Sequence, residues 1–329
     1  MKMKAALLTG IGGLDKLVYS EIETPPVKSG YALVKVKYCG VNHLDILIRQ
    51  GKRQGPRKFP HVLGSEIVGE VAGEKVAVFP WIFCGKCKYC KNGNENLCDN
   101  GGSIGRTQWG GYAQYAVVPI RNLIKIPSNI ANDKICTVLL AGATAQHLVD
   151  RANIKDGSSV LVTGATGGVG TILIQILKNK KCIIVCATSH PYKKGKLLKL
   201  GADYVVSTQN LVSETKNIFP QGVNYVFDIV GGSVWSNGIE TLGKNGTLVF
   251  CSTSRQEPGK VNLASAFARQ VNILGSSGGT IANLKRVIAL LKKGIIKPVI
   301  AEILPLKEAK KAHEKIEKQE IFGKILLAP

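Results

Sequence analysis

Four cysteines in the segment CGKCKYCKNGNENLC, residues 84–98, stand two, two and seven residues apart. Thiolates in the pattern C-x2-C-x2-C-x7-C can close a tetrahedral shell around zinc from one loop. Four protein ligands leave no open position for water or substrate. Cys84, Cys87, Cys90 and Cys98 are therefore expected to hold one structural zinc per chain, adding folding free energy by fastening the loop. The reacting groups must lie elsewhere.

A second constellation is GATGGVG, residues 164–170, between the apolar run SVLVT and a helical pattern. A glycine-rich turn there lets backbone N–H groups approach a pyrophosphate, and the following helix offers its positive end. Gly164, Thr166, Gly167, Gly168 and Val169 are the expected cofactor contacts. A unit that binds NAD normally offers an acid near the end of its second strand, for the ribose hydroxyl. No Asp or Glu occurs from Gly157 to Ala202, and that strand ends in CATSHPYKKGK. Ser189 can donate a hydrogen bond there, and Lys193 or Lys194 can meet a phosphate charge. NADP(H) is the expected cofactor. Cys251, Ser252 and Ser276 follow later strands and should line the same crevice at the strands' carboxyl ends.

These groups need a scaffold. From Val160 onward, SVLVT, CIIVCAT, ADYVV, VNYVFDIV, GTLVFCS and VNILGSS alternate with amphipathic stretches such as Val169–Lys178 and Lys193–Leu200. Six such strands imply an α/β fold with a doubly wound parallel sheet. The first 120 residues read as mainly β, with short strands and period-two segments such as YALVKVKY. After about Gly279 come two helical stretches, NLKRVIALLKKG and LKEAKKAHEKIEKQ, then a last strand, GKILLA. A chain of 329 residues suits two domains. No apolar run approaches the roughly 20 residues that cross a bilayer, and MKMKAALLTG is too short for a secretory signal. A cytoplasmic enzyme with no membrane partner is expected. The odd total of nine cysteines is a poor disulfide framework, so Cys39, Cys136, Cys182, Cys186 and Cys251 read as buried thiols. The net charge of +22 is spread along the chain without an aromatic-interleaved basic block. It reads as a solvated lysine-rich surface rather than a nucleic-acid site.

Taken together, the segments PPVKSGYALVKVKYCGVNHLD, FPHVLGSEIVGEV, WGGYAQYAVVP, LAGATAQ, VTGATGGVG and GKILLAP resemble the medium-chain dehydrogenase/reductase superfamily over essentially the whole chain. The cysteine loop has that family's structural-zinc spacing. The resemblance implies a GroES-like catalytic domain over 1–141 and 279–329, and a Rossmann domain over 142–278. It also implies pairing through a Rossmann edge strand, into a homodimer or homotetramer. His43 takes a place where relatives touch the cofactor pyrophosphate, and Thr144 one that contacts the nicotinamide.

The departures from the family carry the functional reading. Zinc alcohol dehydrogenases of this family hold a catalytic zinc at three positions, which fall here on Asn42, Ser65 and Leu140. None supplies the usual ligand. GVN-x-x-D and GATGGVG are similar to the branch of quinone oxidoreductases and enoyl reductases, which act without metal at the reacting centre. Hydride addition to an enone or enoyl thioester spreads charge into an enolate that hydrogen-bond donors can stabilise. Asn42 is the expected donor, and Asp45, three residues on, is expected to fix the loop. Glu66 and Asp45 read as structural acids paired with a nearby base. His61 and His147 have no evident partner. The segment Gly73–Val76 looks shortened against relatives. Beside the site, RQGKRQGPRKFP collects Arg49, Lys52, Arg53, Arg57 and Lys58, read chiefly as a solvated loop and otherwise as a rim for acyl-CoA phosphates. The expected substrate is a small molecule: an enone, a quinone or an acyl-CoA. Two alternatives stand. One is a zinc alcohol dehydrogenase rebuilt from Cys39, His43, His61 and Glu66, although Cys39 is displaced by about 10 Å along an extended segment. The other is an RNA-binding protein.

Overall fold

The computed structural model describes residues 1–329 except Arg57, Ser254 and Gln256. The chain divides into two compact units. The first comprises 1–140, 280–288 and 298–329; the second comprises 141–279 and 289–297. The sequence expectation kept all of 279–329 with the catalytic domain. Residues 289–297 instead pack with the Rossmann unit. The Gln175 side chain bonds the Lys297 backbone in both directions, at 2.7 and 3.2 Å, and ties that segment down.

In the first unit one sheet runs Leu123–Lys125, Glu74–Val78, Glu66–Val71, Tyr31–Gly40, Lys324–Ala328, Ile300–Pro305, with Tyr115–Pro119 also paired to Tyr31–Gly40. Apolar side chains alternate inward along these strands, and Val34, Val36, Cys39, Ile67, Val76, Val78, Ile325 and Leu327 form its core with Tyr112. The strand Ile300–Pro305 was not expected from sequence. It pairs in parallel with Lys324–Ala328, and its alternation lies between Pro298 and Pro305, where proline obscures the strand signal. A second sheet orders Leu17–Glu23, Lys2–Leu8 and His61–Val62. Register pairs Val71 with Glu74, which leaves Ala72 and Gly73 as a two-residue hairpin turn with φ of 48° and 84°. Positive φ at both positions is the type I′ geometry that tight hairpins favour. The segment that looked short is this minimal turn.

The second unit contains six parallel strands in the order Tyr204–Ser207, Ile183–Thr188, Ser159–Val162, Val223–Asp228, Leu242–Phe250, Asn272–Gly275. Numbered along the chain this is 3-2-1-4-5-6, the dinucleotide-binding order. Val160, Leu161, Val162, Ile184 and Val185 are fully buried, as strands covered on both faces must be. Among the described residues no helix is long and apolar enough to cross a membrane.

Candidate functional site

The cysteine loop closes on itself. The sulfurs of Cys84, Cys87, Cys90 and Cys98 lie within 4.8 Å of one another. Individual separations are 3.5 Å for Cys87–Cys90 and 3.9 Å for Cys84–Cys90 and Cys87–Cys98. Four thiolates at ordinary zinc–sulfur distance stand about 3.8 Å apart, so the set fits zinc. Backbone N–H groups of Lys86 and Cys87 point at the Cys84 sulfur, at 3.4 and 3.3 Å. They draw its thiol down to about 6, toward the thiolate a metal requires. Arg121 pins the loop from outside through the Cys84 carbonyl at 2.8 Å. Among the described residues this is the one group of three or more His, Cys, Asp or Glu arranged to hold a metal.

A different kind of centre forms where three strands meet. Gly40 pairs with Glu66 on one side and with Leu326 on the other. A side chain at Gly40 would collide with the Glu66 carboxylate, so only glycine leaves room for it. Glu66 is fully buried and Lys324 is 3% exposed; they form a direct ion pair. The Lys324 ammonium also donates to Asn42 Oδ1 at 2.7 Å and to the Val41 carbonyl at 3.1 Å. Glu66 Oε2 accepts Asn42 Nδ2–H at 3.1 Å, and Oε1 accepts the Leu140 N–H at 2.7 Å. Ser65 Oγ donates to the Ile104 carbonyl at 2.8 Å. The three positions that the resemblance gave to zinc ligands are thus committed to internal bonds. One Asn42 amide proton is spent on Glu66; the other faces the Gly40 carbonyl at 3.5 Å, too long for a firm bond.

Asn42 also caps the helix His43–Arg49: Asp45 Oδ2 accepts its N–H at 2.8 Å in a capping box. Among the described residues Asp45 forms no ion pair with a base, contrary to expectation, whereas Glu66 does, with Lys324. The other partners of Asp45 are the Gly64 N–H at 3.2 Å and the Tyr112 hydroxyl at 3.2 Å. Burial pushes its carboxyl up to about 6. Behind it runs a directed chain. Arg49 Nε–H donates to His313 Nδ1 at 3.3 Å. The ring's proton therefore sits on Nε2 and is donated to the Tyr112 oxygen at 3.2 Å. Burial holds His313 down to about 3, so the ring is neutral. Arg49, read as part of a basic loop, is 1% exposed and salt-bridged to Glu317 at 2.5 Å. Lys52, Arg53 and Lys58 are exposed; Arg57 lies outside the described residues. His61 does have a partner, the Gly105 carbonyl at 3.1 Å. Cys39 is buried with its sulfur 3.9 Å from the Gly40 carbonyl. The alternative metal set of Cys39, His43, His61 and Glu66 does not converge.

In the second unit the turn after Ser159–Val162 adopts φ of 63° at Gly164, and Gly167 caps the helix Gly168–Asn179. Thr166, Gly168 and Val169 are half-buried beside them. Gly170 has no room for a side chain, because a Cβ there would collide with the Gly164 carbonyl oxygen and the Ala165 backbone. The Thr163 hydroxyl bonds Asp228 at 2.6 Å, tying strands one and four together where the strand order reverses. Cys251 hangs from the Asp228 carbonyl by its N–H at 3.1 Å, and burial pushes its thiol up to about 12. It stays a thiol. Ser252 follows it, half-buried. Ser276 Oγ meets His147 Nδ1 at 2.8 Å, which supplies the partner that His147 lacked. Thr144 is buried on the helix Leu140–Ala152. At the end of the second strand, Ser189 Oγ meets His190 Nδ1 at 3.1 Å, and the His190 ring stacks on exposed Tyr192 at 5.5 Å. Lys194 is exposed at the start of Lys194–Leu200, whereas Lys193 is buried with its ammonium 5.7 Å from the Tyr192 ring centre. The sequence reading missed Lys324, Tyr112, His313, His190 and Tyr192. His43 belongs to the first unit, and the other cofactor candidates to the second.

A cavity of about 310 Å³ in the first unit is lined by Tyr31, Val62, Gln108, Trp109 and Tyr115 among others, and by none of the site candidates.

Comparison with known proteins gives the class. Residues 28–128 match the alcohol dehydrogenase GroES-like domain, and residues 168–293 match the zinc-binding dehydrogenase family. An NAD-dependent alcohol dehydrogenase of Sulfolobus acidocaldarius is 33% identical over 99% of both chains. An acryloyl-coenzyme A reductase of Metallosphaera sedula is 27% identical over 93% of this chain and 95% of that one. The cobalt- and zinc-bound thermostable alcohol dehydrogenase of Pyrobaculum aerophilum superposes with a TM-score of 0.91 at 31% identity, over the full length of both. The chain belongs to the medium-chain dehydrogenase/reductase superfamily and is an oxidoreductase with the GroES-like and Rossmann folds expected from its motifs.

Proposed function

We propose that this protein is an NADPH-dependent reductase that adds hydride to an activated double bond, in a quinone, an enone or an enoyl-CoA thioester, without catalytic zinc. The observation that carries this reading is the self-satisfied centre of Asn42, Glu66 and Lys324. A catalytic zinc needs three ligands and an open position. Here Asn42, Ser65 and the Leu140 backbone are all bonded internally, and the Glu66 carboxylate is already neutralised by Lys324. Similarity to acryloyl-coenzyme A reductases of Metallosphaera sedula and Sulfurisphaera tokodaii supports the same class of substrate.

Bound cofactor supplies the hydride. The chain's own task is to orient the acceptor and stabilise the oxygen on which negative charge gathers. Asn42 is suited to this through its loosely held amide proton, while Lys324 and Glu66 fix the amide so that no reorganisation is needed. Water can deliver the proton to the neighbouring carbon. Ser189 and Lys194, with no acid from Gly157 to Ala202, favour a 2′-phosphate and hence NADPH. The one zinc is assigned to Cys84, Cys87, Cys90 and Cys98 and is structural.

The test pairs metal analysis with activity. One zinc per dialysed chain, with NADPH oxidation by enones or enoyl thioesters, is the expected result. Two zincs per chain with alcohol oxidation would favour the second reading, a zinc-dependent alcohol dehydrogenase with a rearranged site. The named similarity to NAD-dependent alcohol dehydrogenases keeps that reading in play.

A further inference from the structure

The cavity of about 310 Å³ in the first unit shares no lining residue with the Asn42 centre or the metal loop. Its floor is apolar and closed: Met3 and Ala116 are each 2% exposed, and Val62 is fully buried. Its walls include Pro25, Pro26, Tyr31, Trp109 and Tyr115. The prolines present rings and no N–H, so that side makes no polar demand on an occupant. The backbone fixes these walls. Tyr31–Gly40 pairs with Tyr115–Pro119, with Tyr31 opposite Pro119 and Lys35 opposite Tyr115. Gln108 Nε2–H donates to the Val117 carbonyl at 3.0 Å, and the Gly110 N–H donates to the Val62 carbonyl at 2.7 Å.

Charge decides what the cavity can take. None of its lining residues is acidic. The stretches that supply them, Met1 to Leu14, Thr24 to Leu44, Ile46 to Ser65 and Asn100 to Asn132, contain no Asp or Glu. The single charge in the lining is the Lys28 ammonium. Lys28 opens a turn: its carbonyl accepts the Tyr31 N–H at 3.0 Å, and Gly30 takes φ of 79°, the positive value a type II turn needs at its third residue. The Lys28 side chain is exposed and, among the described residues, joins no ion pair. Nor does any hydrogen bond among the described residues engage the Tyr31 and Tyr115 hydroxyls or the Trp109 indole N–H.

We infer that this cavity is a second binding site, for a small aromatic carboxylate whose ring lies among Tyr31, Trp109 and Tyr115 and whose charge meets Lys28. Each part of the occupant answers a part of the site. Three aromatic walls favour a flat ring, which gains from edge and face contacts. One cation among apolar neighbours matches one negative charge, whereas a phosphate would ask for several donors. The volume stands at the lower end for ligand pockets, about 300 Å³, so one ring and a short acid suit it. The inference does not depend on which reaction the enzyme catalyses.

Phenylacetate is the probe, with phenylacetamide and acetate as controls for charge and ring. Calorimetry on the native zinc-loaded protein should give a dissociation constant on the order of 0.1 mM for phenylacetate, about 5-fold weaker binding for the amide, and none for acetate. Lys28→Gln should bring phenylacetate to the amide's value and leave the amide unchanged. Phenylacetate should alter tryptophan emission in the native protein but not in Trp109→Phe, where calorimetry still detects the complex. Saturating NADPH should not displace it. The inference is overturned by absence of phenylacetate binding, by an acid-to-amide ratio that Lys28→Gln leaves intact, or by an emission change that survives Trp109→Phe. Displacement by NADPH would also overturn it, by putting the probe in the reaction cleft.

Discussion

The loop at 84–98 and the centre at Asn42, Glu66 and Lys324 solve the same problem in opposite ways. Each gathers polar side chains that would repel one another or sit unpaired. The loop draws four sulfurs from fifteen consecutive residues, all partly exposed, and needs an ion from outside to balance them. The centre draws Asn42, Glu66 and Lys324 from positions far apart in sequence, buries Glu66 and Lys324 with Asn42 half-buried beside them, and balances charge within the chain. Local spacing makes a site that depends on its ligand; long-range assembly makes one that does not. The first kind is visible in a sequence as a motif. The second is visible only once the strands are paired.

Removing a ligand from the loop should separate the two most strongly. Cys98→Ser is expected to lower zinc from one per chain to none and to cost several kcal/mol, roughly 10 °C in the melting midpoint. Metal analysis and thermal unfolding check this. Retained zinc in Cys98→Ser would end the distinction, because the ion would then have another home.

Breaking the centre should cost less and leave zinc content unchanged. Lys324→Met strands a fully buried carboxylate, and about 3–5 kcal/mol is expected from such a break. The double variant Lys324→Met/Glu66→Gln should lose less than Lys324→Met alone, since no charge is then left unpaired. Denaturant unfolding of the two variants gives the coupling. A cost under 1 kcal/mol for Lys324→Met would mean that water reaches the pair.

The smallest effect belongs to Tyr112→Phe, which removes one donor to Asp45, about 1–2 kcal/mol. Its signature is in pH. Burial raises the Asp45 carboxyl to about 6, so the folded protein holds that proton more tightly than the unfolded chain. The stability this lends is complete below about pH 4 and is lost as pH rises through 6. His313, held down to about 3, contributes the opposite slope: its share is present above about 6.5 and fades as pH falls toward 3. The Tyr112 hydrogen bond favours the ionised carboxylate, so removing it should move the Asp45 titration upward. An acid limb in kcat/KM near pH 6 should therefore shift to higher pH in Tyr112→Phe and vanish in Asp45→Asn. A limb that ignores both substitutions would detach Asp45 from the reaction.

How much of this was legible in the sequence follows the same divide. The glycine turn at 164–170 and six apolar runs were enough for the parallel sheet, because each signal is local and their order is the fold. The cysteine spacing alone pointed to a metal loop. Lys324 was read only as part of the strand GKILLA, since one lysine in a chain of net charge +22 carries no signal until Glu66 is placed beside it. Arg49 misled for the mirror reason. It sits at the head of a basic run, yet the helix His43–Arg49 turns it inward to His313 and Glu317. His313 lies on a helix of lysines and glutamates, and only its neighbours in space make it part of a chain of hydrogen bonds.

Lys324 has a consequence for the order in which the molecule is made. The carboxylate of Glu66 emerges early in synthesis, while the cation that neutralises it lies on the last strand, after the whole of the second unit. Until Lys324–Ala328 slots in between Tyr31–Gly40 and Ile300–Pro305, the first unit lacks both a strand of its sheet and the charge that allows its interior to close. The contact between Asn42 and Lys324 spans 282 positions, so closing it carries the chain entropy of a very long loop, a cost that grows only slowly with length.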